Sequence, residues 1–364
     1  MVTDLTPGLD FRRVEYRREV FLRFYEFHLR YRSHPGAVYY LMPYLAETYD
    51  WGMEQKLWFA YLNGNTQNPV TSYIIMHHFP TLADLDLAEL QEWFSQSRTY
   101  RNLQWDTDRR YHKGGFVGNV QNYQELIGGQ TQQQFFQGLC QHETPAANFR
   151  ATWDVVSQNF RSFGRLSTFS YLEYLRIMGV NLDCDQLFLD DRAGSRSHRN
   201  GLCIVNGQDE LDWHQSNPTF KGVYSDTQLE TLSALGADLL SDMQQRGQGK
   251  AWAKDVSYFT LESALCTYKS WHRPNRRYPN VYNDLGHDRI RYAEHRWARP
   301  SMKVFWQGRR TCLPKYLRLE DQPKDLGCVA IKQNFYRATG QVIMMEHDWE
   351  CFANAYGARY LDGS

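Results

Sequence analysis

Residues 257–280 read SYFTLESALCTYKSWHRPNRRYPN. On a helix Glu262, Cys266, Lys269 and Arg273 share one face, and Leu261, Leu265 and Tyr268 take a neighbouring core-type face. A carboxylate held beside Lys269 and Arg273 suits a general base with cationic partners; the alternative is a salt-bridged helix face. Arg273, Arg276 and Arg277 form a cationic cluster just beyond. A second cluster lies at 191–201, DRAGSRSHRNG, with Arg196, His198 and Arg199 between glycines. Glycines let backbone N–H groups converge on an anion, and arginine forks bind phosphate bidentately. The segment reads as a loop, either an oligophosphate clamp or plain surface. It lacks the Gly-Lys-Ser/Thr ending of a Walker A motif.

Three further segments carry polar side chains in unusual density. Asn63–Ser72 (NGNTQNPVTS) ends in an N-cap, Asn68, and an N1 proline, Pro69. The amides before the cap, Asn63, Asn65 and Gln67, exceed what capping needs, and paired donors and acceptors suit the edge of an extruded pyrimidine. Trp105–Lys113 (WDTDRRYHK) sets Asp106 and Asp108 two apart, a spacing that can hold Mg2+ but whose favoured role is structural pairing with Arg109 or Arg110. Phe163–Tyr174 (FGRLSTFSYLEY) opens a helix on which Ser167, Tyr171 and Tyr174 share a face, with Arg165 at its start. These aromatics could stack a base or fill a core. His77-His78 and His28/His34 lack metal-ligand spacing, so no metal site is expected.

The elements that must position these residues are mainly helical. Helical periodicity marks 12–31, 36–49, 54–62, 69–78, 84–96, 146–160, 166–178, 226–246, 257–272 and 280–298. The best strand candidates are 328–331 and 341–344. The expected fold is mainly α, a multi-helix globular fold for which a DNA-glycosylase-like arrangement is one form, with a less regular C-terminal part containing a few short strands. The expected division is a helical catalytic domain at 1–300 and an extension packed on it at 301–364. The chain has 364 residues, 42% hydrophobic and 23% charged, which excludes a disordered protein. Mean hydropathy is −0.64, and no run approaches a membrane span. The start, MVTDLTPGLDFRRVEYRREV, has no apolar signal region. Seven widely spaced cysteines without a Cys-x-x-Cys suit free thiols in a reducing compartment.

The charge is unevenly placed. Lysines and arginines total 41 and acids total 41. Residues 269–318 nevertheless hold thirteen Lys/Arg against three acids, ten net positives offset by ten net negatives elsewhere. Within that block His287, Arg291, His295 and Arg299 recur every four residues, with Ile290, Ala293 and Trp297 opposite. This is either a phosphate-tracking surface or a solvated helix face.

Taken together, Asn63–Ser72, Trp105–Tyr111, Phe163–Leu175, Ser195–Cys203 (SRSHRNGLC) and Tyr258–Asp284 resemble the bacteriophage amino acid:DNA transferases, also called the α-glutamyl/putrescinyl-thymine pyrophosphorylases. The resemblance runs from about residue 20 to about 300. It implies a DNA base hypermodification enzyme. A kinase converts 5-hydroxymethyluracil in phage DNA to its pyrophosphoryl ester, and the transferase displaces pyrophosphate with the amine of an amino acid or polyamine.

That chemistry makes four demands. Pyrophosphate needs cations, for which Arg196, His198, Arg199, Arg273, Arg276 and Arg277 are the candidates. The attacking amine needs a base, Glu262 or Asp108, with Lys269 beside the former. A carboxylate on the amine needs an arginine, for which Arg165 is the candidate. The flipped base and amine need a pocket, to which Asn63, Asn65, Tyr171 and Tyr174 are assigned. Arg289, Arg291, Arg296 and Arg299 are expected on the DNA backbone. No organic cofactor is demanded, and Mg2+ is compatible with the diphosphate. The implied partners are double-stranded phage DNA carrying modified uracil, an amino acid or polyamine donor, and a functionally linked 5-hydroxymethyluracil DNA kinase, with no membrane. The implied location is the cytoplasm of the infected bacterial host. Two other readings stay open: a glycosylase-like base-excising enzyme, and a non-catalytic DNA-binding subunit of a modification complex.

Overall fold

The computed structural model describes residues 13–32, 37–189, 196–208, 224–268 and 280–321. Its helices, in chain order, are α1 (Val14–Arg30), α2 (Val38–Thr48), α3 (Met53–Thr66), α4 (Pro69–His78), α5 (Leu87–Ser95), α6 (Ser97–Asn102), α7 (Arg110–Lys113) and α8 (Phe116–Ile127). They continue with α9 (Gln132–Leu139), α10 (Pro145–Asn159), α11 (Arg165–Ile177), α12 (Arg196–Val205), α13 (Asp226–Arg246), α14 (Tyr258–Tyr268), α15 (Val281–Arg296) and α16 (Lys303–Cys312). The fold is mainly α. The strand candidates at 328–331 and 341–344 lie outside the described residues.

The chain divides into two compact units. One comprises residues 1–35, 186–287 and 312–364; the other comprises 36–185 and 288–311. In the first, α1 buries Val20, Phe21, Phe24, Tyr25, Phe27 and His28. Phe21 meets the Tyr268 ring edge-on at 5.1 Å, and the Tyr25 hydroxyl lies 2.7 Å from Thr260 Oγ1. Helix α13 starts at a capping box, in which Ser225 accepts from Gln228 N–H and Gln228 accepts from Ser225 N–H. It turns Leu232, Gly236, Leu239 and Met243 inward at helical spacing.

In the second unit α3 is the central rod, buried continuously from Leu57 to Thr66. Its Tyr61 lies parallel to Tyr123 of α8 at 3.9 Å, and Phe160, Phe163 and Tyr171 close around the pair. Such contacts are worth about 0.5–1.5 kcal/mol each beyond burial. Gly64 lets this packing close, because a Cβ there would lie 3.1 Å from the Tyr171 ring. Pro69 opens α4, and Asn68 accepts from Val70 N–H at 3.2 Å, as the sequence predicts.

Sequence periodicity missed six of these helices: the short α6 and α7, and α8, α9, α12 and α16. Helices α8 and α9 are rich in Gln, Asn and Gly, so their apolar stripe is thin. Helix α16 carries three basic residues in a part expected to be irregular. Its Gly308 seats against the Tyr44 ring, where a Cβ would come within 2.8 Å. Residues 196–205 were expected as loop and form α12. Glycine at 201 argued for a loop, but that glycine serves a close helix contact.

Candidate active site

In the first unit α12 and α14 touch backbone to backbone. A Cβ on Gly201 would collide with the Leu265 carbonyl group. Glycine costs an exposed helix about 1 kcal/mol relative to alanine, and here its missing side chain permits the contact. The contact brings His198 of α12 to Glu262 of α14, both buried, with His198 Nδ1 3.2 Å from Glu262 Oε1. The other ring nitrogen, Nε2, lies 2.8 Å from the Leu187 carbonyl oxygen. A carbonyl only accepts, so Nε2 carries a hydrogen. Nδ1 faces the carboxylate at ion-pair distance, in a geometry that is not that of a hydrogen bond. His198 and Glu262 thus form one buried imidazole–carboxylate pair.

Arg199, the next residue, is 1% exposed. Its Nη1 donates to the Leu189 carbonyl at 2.5 Å, and its guanidinium carbon lies 4.3 Å from the centre of the Tyr224 ring. Nε and Nη2 are buried and donate to nothing among the described residues. The adjacent Asn200 also buries an amide oxygen without such a partner.

The second unit gathers the amide-rich and Trp-Asp segments into a different arrangement. Asn65 donates to the Tyr61 carbonyl at 3.1 Å. It accepts from Asn119 Nδ2 at 2.9 Å and lies 3.2 Å from His112 Nδ1. Asn63 accepts from Ser72 Oγ at 3.4 Å, and Thr66 and Ser72 hydroxyls meet at 2.8 Å. Asn68 Nδ2 and Thr71 Oγ1 both donate to the Gln104 carbonyl. Arg109 is fully buried and donates Nε to Gly64 O at 3.1 Å, Nη1 to Asp108 O at 3.2 Å and Nη2 to Leu166 O at 3.0 Å. Burial, reinforced by the charge of Arg109, drops the His112 pKa to about 3, so the ring is neutral. With Nδ1–H given to Asn65, its Nε2 lone pair is bare among the described residues.

The residues expected in the site separate as follows. His198, Arg199 and Glu262 come together in the first unit. Arg196 opens α12, its side chain outside the described atoms, and Lys269, Arg273, Arg276 and Arg277 lie outside the described residues. Asn63, Asn65, Asp108, Arg165, Tyr171 and Tyr174 belong to the second unit. There Asn63, Asn65, Tyr171 and Tyr174 are buried in packing, and burial lifts both tyrosine pKa values well above the ordinary one. Asp108 is exposed, and the Arg165 guanidinium lies 5.3 Å from the centre of the Phe169 ring.

Asp106 was expected to pair with Arg109 or Arg110; it pairs instead with Arg289, whose side chain is only 10% exposed. Arg109 is instead drawn to backbone carbonyls. Arg291, Arg296 and Arg299 are exposed, with Arg296 over the Tyr292 ring at 5.4 Å. No group of three or more metal-ligating side chains occurs among the described residues. A cleft of about 510 Å3 opens between Glu54, Asp84, Gln124, Gln130 and Gln132, away from all five motifs.

Two of the buried polar groups to which sequence reasoning gave no role stand in the amide-rich network or beside it. One is His112. The other is Glu173, which accepts from the Tyr39 hydroxyl at 2.9 Å. The signal for Glu173 was an acid inside the apolar run FSYLEYL; nothing comparable marked His112.

Residues 36–277 match the family model described as amino acid:DNA transferase. The match covers well over half of the chain and takes in both the α12–α14 pair and the Asn63–Ser72 network, so the chain belongs to the amino acid:DNA transferase family. Among characterised proteins it is similar to the serinyltransferase of Salmonella phage ViI, 27% identical over 278 residues, which is 74% of this chain and 66% of that protein. The chain thus spans just under two thirds of that relative's length. No solved structure matches.

Proposed function

We propose that the protein hypermodifies thymine positions in phage DNA. An amine displaces pyrophosphate from 5-(pyrophosphoryloxymethyl)uracil in double-stranded DNA. The nitrogen–methylene bond forms, the carbon–oxygen bond breaks with its electron pair leaving on pyrophosphate, and the ammonium proton passes to a base. Family membership supports an amino acid as donor, and the phage relative's name makes serine the first candidate; a polyamine is the alternative. The observation that carries the reading is the buried Glu262–His198 pair inside the family-matched region, a carboxylate held at ion-pair distance from an imidazole.

Arg196, Arg273, Arg276 and Arg277 are the proposed counter-charges for pyrophosphate. Arg291, Arg296 and Arg299 are proposed on the DNA backbone, and the Asn63–Ser72 network is the proposed scaffold of the base pocket. A DNA kinase acting in the infected host would supply the activated base.

The test incubates the protein with DNA bearing pyrophosphorylated hydroxymethyluracil and a mixture of amines, then digests the DNA and weighs the nucleosides. An amine-adduct mass is expected. Abasic sites would instead indicate base excision, and unchanged DNA at saturating protein would overturn both enzymatic readings.

A further inference from the structure

Arg199 is built as a receptor rather than a strut. Its Nη1 is held by the Leu189 carbonyl and its plane lies against Tyr224. The edge left over is Nε with Nη2, and both of those nitrogens are buried without a described partner. On a guanidinium that edge presents two parallel N–H bonds, the fork that matches the two oxygens of one carboxylate. A buried cation without a counter-charge is costly, and a monoanionic ligand relieves that cost. Diphosphate fits less well, because its several charges call for several cations. The neighbouring His198 is turned to Glu262 and the Leu187 carbonyl.

We propose that Arg199 binds the α-carboxylate of the amino acid donor, which places the amine in the same unit as the Glu262–His198 pair. This rests on the amino acid:DNA transferase reading and assigns one of its substrates to a residue.

The test uses the full chain with serine, glycine, alanine and glutamate, each beside its carboxamide, and with inorganic pyrophosphate. Binding is followed by calorimetry and by the shift in melting temperature. The expected result is that at least one amino acid binds and raises the melting temperature while its α-carboxamide does not. Arg199→Met should lose that binding by roughly tenfold or more, and Arg199→Lys, which keeps the charge without the fork, should recover only part of it. The amino acid and carboxamide comparison needs no variant, so it holds even if a variant misfolds.

The assignment is overturned if each amino acid and its amide bind alike, if no amino acid binds, or if Arg199→Met loses pyrophosphate binding instead. Amine transfer to DNA without carboxylate discrimination would keep the reaction and remove this role. Carboxylate-selective binding without any DNA adduct would keep the role and remove the reaction.

Discussion

Arg109 and Arg199 are both fully buried, and both carry a charge that burial makes expensive. Arg109 has Nε, Nη1 and Nη2 each donating to a backbone carbonyl, and it ties Gly64 to Leu166 across 102 positions of sequence. Arg199 has one nitrogen so engaged and two buried donors without a partner among the described residues. Burial alone therefore does not tell a structural arginine from a ligand-binding one; the engagement of its donors does. The surrounding regions differ in the same sense. Around Arg109 side-chain amides and hydroxyls hold one another, whereas around Arg199 a close helix contact leaves a buried imidazole–carboxylate pair and a fork unengaged among the described residues.

The largest expected effect tests the structural side. Arg109→Met should lower the unfolding free energy by about 3 kcal/mol or more, since three hydrogen bonds from a charged donor vanish and leave carbonyls unpaired. Chemical denaturation reads this directly, and a loss below ~1 kcal/mol would break the contrast. Gly201→Ala should cost about 2–3 kcal/mol through overpacking against Leu265. It should also separate His198 from Glu262, so turnover falls further than stability accounts for.

A pH series sharpens the role of the polar network. Folded His112 has a pKa near 3, against roughly 6.5 in an unfolded chain. Above that unfolded value both states are neutral. As pH falls below it only the unfolded chain gains the proton, so the fold loses about 1.4 kcal/mol per pH unit down to about pH 3. His112→Asn, which keeps a donor for Asn65, should flatten the denaturation midpoint between pH 7 and 5; an unchanged slope would place the acid sensitivity elsewhere. The smallest effect belongs to Arg199→Met. Removing a buried charge with two of its donors unengaged among the described residues should change stability by less than ~1 kcal/mol, and in the stabilising direction. A loss comparable to that of Arg109→Met would make the two arginines alike.

Much of the fold was readable from periodicity. Helix α13 spans the predicted 226–246, and Asn68-Pro69 marks the start of α4. What stayed hidden was long-range. That Gly201 belongs to a helix depends on Leu265, more than sixty residues away, and that Asp106 pairs with Arg289 depends on a fold no local window contains. The motifs singled out the right segments as polar and unusual. They could not separate amides held by each other, such as Asn65 with Asn119, from donors unengaged among the described residues, such as Nε and Nη2 of Arg199, because that distinction exists only after packing.

The first unit is assembled from stretches at both ends of the chain, and this sets an order in time. Helix α1 leaves the ribosome early, yet Thr260 and Tyr268, which cover its Phe21, Phe24 and Tyr25, follow more than two hundred residues later. At about 5–20 residues per second, that is on the order of ten seconds or more of synthesis. The stretch from 36 to 185 emerges without interruption in the meantime and can begin to condense. The nascent helix must shelter its aromatic face until α14 arrives, which makes α1 a natural place for a chaperone to bind.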